Sequence, residues 1–282
     1  MHALTVLATL SFFLLTVALG AQEPLFVVYD YMKVKPENYD DYIHLEKVWK
    51  KIHASRIKRG RLYAWVLDEV ISPSGTAQEF NFITANVYQG NAMLAGHYET
   101  SMLPENWQEL ISYDEAQVAL RTAQLRDIVK TDVFEVVDQV MAEGWEANAN
   151  VVVMNFFRNR NGASNEDHAR MEAELWKPIH EARVKDGNVQ GWMLMNRVFP
   201  ISYTTQTPYH SITNDYYTDM RQLIESSDNM ADYMDKFLSS EEKQQRLAEM
   251  WEGVEMLSAV IRRRIDGVMS DGQGDVVMRP DE

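Results

Sequence analysis

Apolar positions along the chain switch between a period of two and a period near 3.6. Residues 25–34 are a run of β-branched and aromatic side chains, which predicts a strand. Pro36 and Asn38 close it and open a helix over 39–59, and Gly60 stops that helix with Lys58 and Arg59 in its last turn. Strands follow over 62–70 and 79–88, joined by the turn Ser72-Pro73-Ser74-Gly75. Residues 91–111 predict irregular or short helical structure broken by Pro104, 113–130 carries the helical period, and 133–140 is a strand. The second half repeats the order, with a strand over 150–157, a helix over 165–185 and strands over 189–198 and 209–217. A helical stretch over 219–238, a long helix over 241–264 and a short strand over 265–269 complete it. Each half therefore reads β-α-β-β-α-β, the ferredoxin-like order.

Part of this order is written twice in the residues themselves. Residues 49–67 and 176–194, set at an offset of 127, are identical at nine of nineteen positions. These are Trp49/Trp176, Lys50/Lys177, Ile52/Ile179, His53/His180, Arg56/Arg183, Lys58/Lys185, Gly60/Gly187, Trp65/Trp192 and Leu67/Leu194. Chance would leave about one match, so the chain is an internal duplication. One further register step places Asn86-Val87-Tyr88 over Asn214-Asp215-Tyr216. Pro178, where the first half has Lys51, is expected to bend the second helix.

Composition adds bounds. Residues 3–21 carry no charge and end in the small residues Gly20 and Ala21, the layout of a signal peptide cleaved there, although no Lys or Arg precedes it. The expected product is an exported protein, periplasmic or secreted, with no stable membrane association after cleavage; an uncleaved membrane anchor is the alternative. The expected divisions are a signal peptide at 1–21, repeats at 22–145 and 146–271, and an acidic disordered tail at 272–282. The chain has no cysteine, which removes disulfides, thiolate metal sites and a cysteine nucleophile. Its net charge of −15 divides evenly: 19 acidic against 12 basic residues in 22–145, and 23 against 15 in 146–282. With no basic stripe in either half, nucleic acid is not an expected partner.

On these elements and the repeated Trp-rich first helix, the chain resembles the dimeric α+β barrel superfamily, fused here in one chain. That group includes EthD-like and NIPSNAP-like proteins, cofactor-independent monooxygenases, and haem proteins such as chlorite dismutases and dye-decolorising peroxidases. The expected fold class is thus α+β, two tandem ferredoxin-like repeats forming a single-chain dimeric α+β barrel. The GxxDG element of the dye-decolorising peroxidases is absent.

The candidate chemistry sits on the duplicated helix. On a helical wheel Trp49, His53 and Arg56 share one apolar stripe, as do Trp176, His180 and Arg183. A cation kept twice within an apolar stripe suggests a pocket, with His as acid or base and Arg as a stabiliser of negative charge. The structural alternative has each Arg capping the last helix carbonyls, each His bonded in the core, and Trp49, Trp65, Trp176 and Trp192 as plain core. On the third strands, Asn86 and Tyr88, and His210, Asn214 and Tyr216, are further ligand-binding candidates by period-two alternation. Asn and Tyr beside Trp and Arg are residue types that cofactor-free monooxygenases of the resembled group use. His168, Glu172, Trp176 and His180 form a row at i, i+4 spacing, too few ligands for a specific metal. Related barrels hold haem through one His, for which His53, His180 or His210 would serve, so a haem cofactor is open but not favoured. The leading function is binding of a small, partly apolar molecule in an inter-repeat cavity, in a chain that is a monomer or a homo-oligomer. An oxidoreductase, cofactor-independent or haem-dependent, and a structural module without a pocket stay open beside it.

Overall fold

A computed structural model describes residues 23–75, 78–99, 103–200, 209–271 and 276–278. The segment 1–21 and residues 272–275 and 279–282 of the expected tail lie outside these. The first half contributes strands β1 (Leu25–Lys33), β2 (Ala64–Ser72), β3 (Phe82–Gln89) and β4 (Asp127–Met141), and the second β5 (Val151–Asn159), β6 (Gly191–Pro200), β7 (Ser211–Tyr217), β8 (Val254–Ser270) and β9 (Val276–Met278). All pairings are antiparallel, in the order β2-β3-β1-β4-β6-β7-β5-β8-β9. Because β2 also pairs with β8, the first eight close into a barrel, and β9 hangs on the end of β8. The halves meet along two seams, β4 with β6 and β2 with β8. Closure leaves the barrel itself without a free strand edge.

Helices cover the outside. In the first half these are α1 (Tyr39–Lys58), α2 (Gly90–Glu99), α3 (Tyr113–Leu120) and α4 (Thr122–Leu125), with α5 (Trp145–Asn148) at the junction. In the second they are α6 (Asn165–Met171), α7 (Lys177–Lys185), α8 (Met220–Asp228), α9 (Met230–Leu238) and α10 (Glu241–Gly253). A π turn, Glu172–Trp176, separates α6 from α7. Pro178 lacks the N–H that an α-helix would donate back one turn, so the expected irregularity falls on the residues before it. Strand alternation sorts the core into layers. Phe26, Val28 and Met32 pack under α1 with Leu45, Trp49 and Ile52, while Val27, Tyr29 and Tyr31 point into the barrel with Ile83, Met154, Met193 and Ile212.

Two expectations are corrected. The helix expected over 113–130 ends at Leu125, and Asp127 already pairs with Lys33. The helix expected over 241–264 ends at Gly253, and Val254 onward is β8. In both places β-branched residues compatible with either period are claimed by strand pairing, because a half-built barrel exposes edges that these segments fill. Within the expected tail, Val276–Met278 pair with Val268, Met269 and Ser270.

Candidate functional site

The two helices that carry the matching residues end alike. Gly60 and Gly187 take φ of +64° and +75°, conformations that glycine adopts without strain. At each, the backbone closes the helix: Arg61 N–H donates to the Arg56 carbonyl at 2.9 Å and Asn188 N–H to the Arg183 carbonyl at 2.8 Å. The backbone thus caps these carbonyls, and neither arginine side chain is needed to do so. The histidines are held by stacking: His53 on Trp65 at 5.2 Å and His180 on Trp192 at 5.0 Å between ring centroids. Trp49 adds a second ring beside His53 at 5.9 Å. Trp176 leaves the equivalent place, donating its indole N–H to Met250 Sδ at 3.3 Å. Burial, with the neighbouring arginine second, holds both imidazoles well below the ordinary histidine pKa, so they are neutral at pH 7.

Beyond this shared frame the halves differ in charge. Arg183 is 1% exposed; its guanidinium reaches Ser226 Oγ at 2.9 Å, Tyr217 Oη at 3.1 Å and His180 Nδ1 at 3.2 Å. Asp215 Oδ1 lies 3.5 Å from it. The second site is therefore charge-compensated. In the first half Asn86 stands opposite Trp65, where Asp215 stands opposite Trp192. No carboxylate pairs with Arg56 among the described residues; its guanidinium sits 5.9 Å from the Trp49 ring centroid. It borders an open pocket of about 230 Å³ shared with Arg59, Arg61, Glu99 and Glu105. His53 Nδ1 is buried without a hydrogen-bond partner. Tyr88 Oη meets His97 Nδ1 at 2.5 Å.

These pairings also correct the register of the third strands. Asn86 is matched by Asp215 and Tyr88 by Tyr217, one residue beyond the expected alignment. A slip of one residue moves a side chain to the opposite face. Asn214 and Tyr216 consequently point into the barrel, away from His180 and Arg183. There Asn214 Nδ2 donates to Tyr29 Oη at 3.0 Å and to Tyr216 Oη at 3.2 Å. Arg262, 2.9 Å from Asp68, lies beside Tyr29. His210 is exposed, and its Nδ1 accepts from the Asn159 backbone N–H at 3.2 Å. The expected residues thus occupy two outer sites and the barrel interior, with His210 outside all three.

A further site uses residues absent from that set. At one barrel mouth a cavity of about 370 Å³ is lined from the first half by Val70, Phe80, Gln78 and Lys130 and from the second by Phe156, Tyr209 and Leu257 through Val260. Lys130 Nζ lies 4.4 Å from the Tyr31 ring centroid, 5.1 Å from Tyr209, 5.3 Å from Phe80 and 5.7 Å from Phe156. Burial lowers the pKa of its ammonium from the ordinary lysine value, with Arg197 adding a smaller push and Asp132 and Glu79 opposing. Asp132 itself accepts from Tyr209 Oη and lies 3.9 Å from Arg197. Assigning 126–130 and 254–264 to helices hid this site. The β-branched residues Ile128, Val129, Thr131 and Val133, and Gly253 as a helix stop, are the signals that point to it.

Metal and haem can be weighed against these residues. His168 is fully buried, with Nε2 3.1 Å from Glu172 Oε1 and Nδ1 2.8 Å from Ser211 Oγ, so both nitrogens are engaged within the protein. Among the described residues no group of three or more His, Asp or Glu could hold a metal ion. Among the described residues, neither the barrel-mouth cavity nor the pocket beside Arg56 has a histidine in its wall. Axial ligation needs an imidazole nitrogen facing the space that the macrocycle fills, so these residues do not fit haem there.

No protein-family model and no curated protein matches the chain. Solved structures do. An anthrone oxidase-like protein aligns with TM-score 0.52 at 8% identity, covering 87% of this chain and 92% of its own. A protein of Fusobacterium nucleatum, provisionally named a monooxygenase, aligns with TM-score 0.51 at 10% identity, covering 87% and 94%. The fold is the dimeric α+β barrel. A chlorite dismutase variant from Candidatus Nitrospira defluvii aligns with TM-score 0.49 at 7% identity, covering 87% and 93%. At these identities the likeness concerns the fold, and activity has to be argued from the site.

Proposed function

We propose that the protein binds a small, partly apolar molecule in the barrel-mouth cavity between its two halves. The observation that carries this is the cavity itself. Its volume of about 370 Å³ lies at the lower end of the small-molecule range, and apolar walls surround a few polar groups. In this proposal the halves are tandem ferredoxin-like repeats of one ancestral unit, a view favoured by the strand order β2-β3-β1-β4 recurring as β6-β7-β5-β8. The same proposal takes it as an exported protein, a reading supported by the leader-like residues 1–21. Titration with a neutral environment-sensitive dye such as Nile red tests the binding. Saturable emission gain in the wild type, lost in Val260→Trp, is the expected result; the same gain in both proteins overturns the assignment to this cavity.

A second reading, cofactor-independent oxygenase activity at the first-half outer site, is favoured by the neutral, buried His53 with its unpartnered Nδ1 beside Arg56. The names of the anthrone oxidase-like protein and its Fusobacterium counterpart are in keeping with it. Oxygen uptake with an anthrone as substrate tests it. Uptake abolished by His53→Ala supports the activity, and uptake unchanged by that substitution removes His53 from it.

A further inference from the structure

We infer that the barrel-mouth cavity is built for an apolar monocarboxylate, held by the Lys130 ammonium and the Gln78 side-chain amide. This rests on the cavity-binding reading above and adds the chemical class of the ligand.

Lys130 has no ion pair or hydrogen bond among the described residues. An ammonium withdrawn from water without a hydrogen-bonding partner is costly, and ring faces offset only part of that cost, about 2 kcal/mol when desolvated. Of the two nearby anions, Asp132 is engaged elsewhere, and Glu79, although it lines the same cavity, makes no ion pair with Lys130 among the described residues. Asp132 accepts from Tyr209 and faces Arg197, and Glu79 is exposed at the solvent rim. Gln78 supplies the second donor: it lines the same cavity, and its buried Nε2 has no hydrogen-bond partner among the described residues. One free cation and one free N–H donor match one carboxylate, whose two oxygens accept charge-assisted hydrogen bonds from both. The remainder of the wall, with Val70, Phe80, Phe156, Leu257 and Val260, suits a hydrocarbon or aromatic body.

A cationic ligand fits poorly. The four rings form a cage of the kind that holds quaternary ammonium groups, yet Lys130 already occupies it and would repel a second positive charge. The protein as a whole, at −15, also repels anions, so any preference for a carboxylate has to arise locally.

The test is displacement of Nile red from the purified full chain by 3-phenylpropionate, its amide and 3-phenylpropylamine, with calorimetry of the acid as a direct readout. The acid should bind at least tenfold more tightly than the amide, and the amine most weakly. Lys130→Met should abolish the preference for acid over amide, read as the ratio of the two affinities in the same variant. Lys130→Arg should keep most of the preference, and Gln78→Leu should reduce it several-fold. Equal binding of acid and amide by the wild type, or a preference that persists in Lys130→Met, overturns the ligand class while dye binding leaves the cavity reading intact. Absence of binding by dye and acid alike, by fluorescence and by calorimetry, overturns both.

Discussion

Asp215→Asn removes the counter-ion of a buried arginine and keeps its shape. Arg183 is 1% exposed and Asp215 9% exposed, with 3.5 Å between Nη1 and Oδ1. At an effective dielectric of about 20, two unit charges at that distance attract by roughly 5 kcal/mol. Against this stands the desolvation of the carboxylate, which keeps Asp215 above the ordinary aspartate pKa despite Arg183, and which the amide does not suffer. The guanidinium keeps Tyr217, Ser226 and His180 as partners. The net cost should be about 3 kcal/mol, at the low end for breaking a buried pair, because the arginine is left charged and buried. For a chain of this size that is a fall in Tm of about 6–12 °C. Urea unfolding of the wild type, Asp215→Asn, Arg183→Leu and the double variant completes the cycle, with a coupling of about 2 kcal/mol or more expected. A loss below about 1 kcal/mol in Asp215→Asn, or strict additivity, would show that Asp215 does not compensate Arg183.

The first half and the histidines supply two more expectations. Asn86→Asp copies the second-half carboxylate into the site where Arg56 has none; because Asn86 is buried and Arg56 only partly so, the new carboxylate loses its hydration without full compensation, and stability should fall by about 1–3 kcal/mol, checked by the same urea unfolding. His53 and His180 stay neutral when folded but take protons near pH 6.5 when unfolded, so the unfolded chain binds more protons below that pH and stability falls with falling pH. Between pH 7.5 and 5.5 the two together should cost about 2–3 kcal/mol, measured by denaturant unfolding at each pH. Asp132, Asp215 and Glu46, held above the usual carboxylate range by burial, protonate first in the folded state and offset part of the loss at the acid end. A flat profile across that window would contradict neutral burial of both histidines.

The helix-glycine-strand unit was legible because each residue in it answers to a local rule. Gly60 and Gly187 need positive φ, Trp65 and Trp192 stack on histidines twelve residues earlier, and the apolar stripe has the helical period. The barrel was less legible because its closure is non-local. Ile128 and Val129, or Val260 and Ile261, satisfy either period, and pairing with β1, β2 and β5 decides for strand. Lys130 was missed for that reason, since its neighbours Tyr31, Phe80, Phe156 and Tyr209 come from distant parts of the chain. The Asn-x-Tyr match of the third strands misled by one residue. Resemblance of side chains favoured one register, and the pairing of Trp192 with Asp215 imposes the next.

The two seams of the barrel have a consequence for how the chain comes apart. Neither four-stranded half can swing away without baring one edge at β4–β6 and another at β2–β8, together with the aromatic interior between them. Opening therefore bares both edges at once, and the mouth cavity exists only while both seams are shut. Cut in the link between β4 and β5 and produced as separate fragments, the halves would behave as an obligate heterodimer, each the template on which the other completes its sheet.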